Sequence, residues 1–288
     1  MTAAAAPPPP RPGNWVDAHV HVWTSDVERY PLAPGYRREQ MNPPEFLPDE
    51  IIRLGKASGV NRVVLIQMSY YQTDNRYLLD VIRAHPGVFR GVAIVNPAAP
   101  RPAAAMSALK PGGVRGFRIH PGHGGAGNWL DTAGFHEMFA CAAREGLAIC
   151  PLINPDALAS LDSMCRRYPA TPVVIDHMAR IGATGTIREE DVRALCGLAR
   201  HRQVKVKVSA FYALGAKKPP HDELAPLIHR LYEAYGPERL MWASDCPFQL
   251  VGETYEDSIS LIAHRLPFFS ASDKDWLLRR SAEETFFR

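Results

Sequence analysis

Two histidines two residues apart, in the stretch Trp15-Val16-Asp17-Ala18-His19-Val20-His21-Val22-Trp23, open the list of residues able to do chemistry. β-Branched residues alternate there with polar ones at a period of two, the pattern of a strand. The alternation puts Asp17, His19 and His21 on one face and Val16, Ala18, Val20 and Val22 on the other. Imidazoles that project the same way can converge on one metal ion or one substrate. A solvent-facing strand rarely spends its polar face on Asp-x-His-x-His.

The elements that must hold these residues follow in regular order. Further apolar, strand-like stretches lie at 60–67, 88–96, 114–120, 147–153, 172–178, 204–211 and 240–245. Helical patterns separate them and finish the chain at about 255–264 and 273–287, the last opened by Ser272 as N-cap with an acid three residues on. Eight strands alternating with helices over one domain length predict an α/β fold, a (β/α)₈ TIM barrel over 14–288. The competing open sheet is disfavoured because no Gly-x-Gly-x-x-Gly follows a strand. Residues 1–13, rich in Ala and Pro, read as a flexible tail. The proline-rich stretch 24–47 is long enough for a lid or substrate wall, and the glycine-rich 122–127 reads as a mobile loop.

In such a barrel, chemistry sits at the C-terminal ends of the strands. Besides His19 and His21, the polar residues there include Arg118 and His120, Asp176-His177 with Arg180 behind, Lys207 and Ser209, then Tyr212, and Ser244-Asp245. The set Asp17-Ala18-His19-Val20-His21, Gly116-Phe117-Arg118, Ile175-Asp176-His177, Lys207-Val208-Ser209 and Ser244-Asp245-Cys246-Pro247 resembles the amidohydrolase superfamily. The likeness is to the amidohydrolase-related branch of sugar- and pyrone-lactonases and decarboxylases, and it spans Trp15 to Arg288.

The resemblance implies hydrolysis of an ester, lactone or amide. The bridging lysine of binuclear members is missing from the fourth strand, and the fifth strand has no histidine, so two metals are not expected. His19, His21, His177 and Asp245 remain as a ligand set for one divalent ion, Zn²⁺ by its nitrogen-rich donors. Metal-free lactonases in the same branch keep the alternative open.

Asp245 is the expected base toward water, and His177 the group that polarises the carbonyl. Arg118, His120, Arg180, Lys207 and Tyr212 are the expected substrate-binding residues, arginine reading carboxylates through its fork. For Lys207, read as buried, a salt bridge to Asp17 is also expected. The reading is a hydrolase of a small anionic or polyhydroxylated lactone or ester. Its competitors are a metal-dependent decarboxylase of a small unsaturated or aromatic acid, and an isomerase or cyclase.

Composition sets the remaining bounds. A net charge of +3 on 288 residues, without a basic block, gives no sign of nucleic acid or anionic membrane as a partner. The expected partner is a small molecule, and a homo-oligomer is compatible with the chain. Five cysteines without a Cys-x-x-Cys pair suit a reducing, cytoplasmic setting.

Overall fold

The structure, a computed structural model, describes residues 13–121 and 127–288. The expected tail over 1–13 and the expected glycine-rich loop over 122–127 lie outside those residues, save Gly13 and Gly127. Eight strands form one sheet in sequence order: β1 Trp15–Val20, β2 Val60–Ile66, β3 Phe89–Ala93, β4 Val114–Ile119, β5 Ala148–Pro151, β6 Val173–Ile175, β7 Val204–Ser209 and β8 Leu240–Ala243. Each pairs in parallel with the next. Beyond the strand ends, Asp245 N donates to His19 O at 2.9 Å and His21 N to Cys246 O at 2.9 Å, which brings the last strand to the first. This is the (β/α)₈ barrel that the alternation predicts.

Helices α1 Pro48–Ala57, α2 Arg76–Ala84, α3 Pro102–Leu109, α4 Ala133–Glu145, α5 Leu158–Arg167, α6 Glu189–Gly197 and α7 Ala225–Tyr235 fill the crossovers. Tyr77, Leu78, Val81 and Ile82 show why α2 forms: apolar residues at helical spacing make one buried face. Thr132 caps α4, its hydroxyl accepting from Phe135 N, and Gly146 ends it in the left-handed conformation. After β8 come α8 Tyr255–Ser260, α9 Ala271–Asp275 and α10 Ser281–Phe286. The N-cap of α9 is Ser270, not Ser272: its hydroxyl accepts from Asp273 N while the Asp273 carboxylate accepts from Ser270 N. The capping box starts two residues earlier than expected, with Asp273 rather than Asp275 as its acid.

Two apolar layers result. The larger lies between sheet and helices. The smaller fills the barrel with Val16, Ala18, Val64, Val92, Ala148 and Cys150, and Ala282 and Phe286 of α10 close its floor. No described helix is long and apolar enough to cross a membrane.

β1 departs from strict alternation. Asp17 stands opposite Val63 and Val20 opposite Leu65, so Ala18 and His19 share the place opposite Val64. This bulge turns His19 inward, one residue out of phase with Val16 and Ala18. Asp17 is thereby left on the outer face, contrary to the expected Asp17–His19–His21 row. Its carboxylate accepts from His19 N at 3.1 Å, Ser244 N at 2.9 Å, the Ser244 hydroxyl, and Tyr255 Oη at 2.9 Å. Asp17 thus ties the bulge to β8 and α8, and burial pushes its carboxyl up to about 6.

The stretch 24–47 is packed down rather than free. Trp23 pairs with Phe46, Tyr30 donates to Asp80, and Tyr70 donates to Gln40 O. Tyr30, Met41 and Phe46 are buried.

Candidate active site

At the C-terminal end of the barrel, His19, His21 and Asp245 meet. His19 Nε2 lies 3.2 Å from His21 Nε2 and 3.4 Å from Asp245 Oδ1, and His21 Nε2 lies 3.5 Å from that same oxygen. Two ligands each about 2.1 Å from a tetrahedral zinc ion stand roughly 3.4 Å apart. The three donors therefore span one face of a tetrahedron of that size. Among the described residues they are the group able to hold a single ion.

The outer contacts fit the same use. His21 Nδ1 lies 3.0 Å from Ile66 O and must carry the proton to bond there, which leaves Nε2 as a lone pair beside a carboxylate oxygen. Two acceptors at that separation call for a positive charge between them. His19 Nδ1 faces Asp176 Oδ1 at 3.3 Å and Lys207 Nζ at 3.2 Å.

Burial lowers all three imidazole pKa values, His19's furthest because the Lys207 ammonium adds to it. Neutral imidazole is the form that ligates a metal. Burial would raise the Asp245 carboxyl, but the neighbouring imidazoles of His177, His21 and His19 outweigh it, and the group is held below the usual carboxylate range. Asp176 is likewise held well below that range, chiefly by Lys207 against its own desolvation.

His177 stands beside this group. Its ring centroid is 4.4 Å from that of His19, its Nδ1 is 2.8 Å from Ser209 Oγ, and its Nε2 is 3.7 Å from Asp245 Oδ2. Tyr212 Oη donates to Asp245 Oδ2 at 2.7 Å. The two oxygens of Asp245 thus divide their partners. Oδ1 faces the first two histidines, while Oδ2 faces Tyr212 and His177.

A family model described as amidohydrolase matches residues 16–288. The chain belongs to the amidohydrolase family. This amidohydrolase is 27% identical over 237 residues to a 4-sulfomuconolactone hydrolase of Rhizobium radiobacter, covering 82% of this chain and 76% of that protein. It is 28% identical over 243 residues to an L-fucono-1,5-lactonase of Burkholderia ambifaria, covering 84% and 83%. Its fold matches that of an amidohydrolase of Burkholderia multivorans solved with bound zinc, at a TM-score of 0.81 and 21% identity over 95% of this chain and 99% of that one. The chain is an enzyme, a hydrolase.

A cleft of 610 Å³ opens above the histidines of this amidohydrolase, and His21, Arg118, His177, Arg180, Tyr212 and Asp245 all line it. Two expected substrate contacts fall elsewhere. Lys207 is fully buried beneath His19, outside the described lining, and pairs with Asp176 at 3.0 Å instead of Asp17. The bulge explains the exchange, since Asp17 points out of the barrel. His120 follows the end of β4, is exposed, and is not among the described residues lining the cleft. The stretch 24–47 contributes nothing to that described lining either.

Sequence reasoning places Asp176 among the polar strand ends but gives it no role; it is the buried anion shared by Lys207, His19 and Arg118. Its position directly before His177 was the available signal. Lys217 and Phe248 were also missed as cleft residues, and nothing in their local sequence marks them.

Proposed function

We propose that this amidohydrolase opens a small lactone or ester by attack of water, at a centre built from His19, His21, His177 and Asp245. The observation that carries the proposal is the triangle of His19, His21 and Asp245 donors at the base of the cleft, with His177 on the other oxygen of Asp245. The lactonase names of the two relatives point to the same bond.

His19, His21 and Asp245 would hold one divalent ion, zinc by donor type, with His177 beside it rather than in the same ring of donors. Such an ion, when bound, polarises a carbonyl and eases deprotonation of water. Asp245, ionised across the working pH range, takes a proton from the attacking water. His177 Nδ1 is hydrogen-bonded to the Ser209 hydroxyl, and the tautomer of neutral His177 that carries its proton on Nε2 would donate to the carbonyl oxygen as negative charge gathers there. The water oxygen bonds to the acyl carbon, the ring C–O bond breaks, and the proton held by Asp245 passes to the departing alkoxide. The product is a hydroxy-carboxylate, and one proton appears in solution. Arg118 borders this centre, Nη2 3.4 Å from His19 Nε2, where it favours the new carboxylate.

Placement in the cytoplasm is supported by five free cysteines, four of them buried. The test is metal analysis of the purified protein together with pH-stat assay on a panel of lactones and carboxylic acids. Acid release without CO₂, abolished in Asp245→Asn, is expected. Full turnover by Asp245→Asn, or CO₂ as the product, would overturn the reading.

A further inference from the structure

We propose that the substrate carries an anionic substituent, a carboxylate or sulfonate, seated at the cleft rim between Arg180 and Lys217; this rests on the lactonase reading above. Arg180 follows β6 and Lys217 lies in the loop between β7 and α7, and both are exposed on the cleft. Neither side chain has an ion pair or hydrogen bond among the described residues, whereas Arg188, close to Arg180 in sequence, is paired with a carboxylate. Residues 1–12 and 122–126 contain no acid that could serve them.

A third cation lies deeper. The Arg118 side chain is only 10% exposed, and its Nε is buried without a hydrogen-bond partner. Its one carboxylate contact, Asp176 at 3.5 Å, is already neutralised by Lys207. The lining therefore offers positive charge at two depths against a single acid, Asp245. Arg118 is placed for the carboxylate that ring opening creates. Arg180 and Lys217 are left for one the substrate brings with it.

The rest of the described lining favours the anionic member of the expected substrate class over the polyhydroxylated one. A polyhydroxylated ring is recognised by side chains that accept from its hydroxyls or exchange donors with them. The described lining contains no Asn, Gln, Glu, Ser or Thr. Leu152, Ala183, Ala210, Ala213, Leu214 and Phe248 occupy those places, suiting a flat, unsaturated or deoxygenated ring. Arg180 and Ala183 also border a second hollow of 590 Å³.

The test uses one ring in two charge states, γ-butyrolactone-γ-carboxylate and its carboxamide, on wild type, Arg180→Gln, Lys217→Gln and the double variant. Binding is read by calorimetry and ring opening by pH-stat. Wild type is expected to bind the carboxylate at least about tenfold tighter than the amide, the ratio falling with added salt and approaching one in the double variant. Equal binding of the two probes, no binding of either, or a ratio unmoved by both substitutions would overturn the proposal. Turnover without charge preference would sink the inference and spare the lactonase reading. Charge-selective binding with no lactone of the wider panel hydrolysed would do the reverse.

Discussion

Lys207→Met is the substitution that tests most directly how the barrel holds its charges. Lys207 and Asp176 are both fully buried with Nζ 3.0 Å from Oδ1, and the next cation to Asp176, Arg118, stands 3.5 Å from Oδ2. At an effective dielectric of ~20, an ion pair at that separation contributes about 5 kcal/mol of attraction. Methionine removes the attraction and also the cost of burying the ammonium, so the net loss is about 3–5 kcal/mol, typical of one partner left alone. Asp176→Asn should cost a similar amount, because it strands Lys207 between His19 and Arg118. The double variant strands neither member of the pair and should lose only about 0–2 kcal/mol. Equilibrium unfolding in urea, checked for reversibility, measures all four corners of the cycle. The expected coupling is at least ~3 kcal/mol. Additive losses, or a Lys207→Met protein within about 1 kcal/mol of wild type, would refute the assignment of this pair as the barrel's internal charge balance.

Asp17→Ala leaves the backbone N–H groups of His19 and Ser244 without an acceptor. Unlike the hydroxyls of Ser244 and Tyr255 they cannot turn elsewhere, and at ~1–3 kcal/mol each the urea midpoint should fall by an equivalent of roughly 2–6 kcal/mol. A Cβ on Gly134 would stand 1.7 Å from the carbonyl oxygen of Pro97, so Gly134→Ala should destabilise by at least ~2 kcal/mol in the same assay, although alanine is the better helix former. Tyr212→Phe deletes a hydrogen bond to an ionised carboxylate, and kcat should fall about tenfold or more on any substrate found; unchanged turnover would mean that Tyr212 only packs. Burial pushes the Cys150 and Cys165 thiols up to about 12 and that of Cys246 higher still. A disulfide reagent at pH 8 should therefore titrate half-buried Cys196 first, and all five thiols only after unfolding.

The fold was readable because its signal is redundant. Eight apolar stretches separated by amphipathic helices leave few alternatives, and an error of two residues at the α9 cap changes nothing downstream. Strand ends were overestimated throughout: the apolar pattern runs on to 153 and 178, while β5 and β6 stop at Pro151 and Ile175. Periodicity reports which residues are buried, and residues just past a strand end are buried as well. The bulge in β1 was illegible for a different reason. Alternation assumes one residue opposite one, and only the partner strand reveals that Ala18 and His19 share a single place. Asp17 was consequently assigned to the wrong face, and with it the partner of Lys207.

The same limit governs the site itself, because its geometry depends on backbone conformations that side-chain identity does not announce. His177, Ala210 and Asp245, just beyond β6, β7 and β8, all have φ between 51° and 64°. A non-glycine residue there costs about 1–2 kcal/mol, and no glycine in the sequence flags these positions. What holds them is the neighbourhood. Asp245 is fixed by its own N–H on His19 O and its carboxylate against Tyr212, and His177 by Ser209. In an extended conformation the chain would carry these side chains onward past the barrel mouth. The left-handed turn folds them back over the axis, where His19 already points because of the bulge. Convergence of the four groups is thus a property of where strands end and how they deviate, and the residue types record only that something polar belongs there.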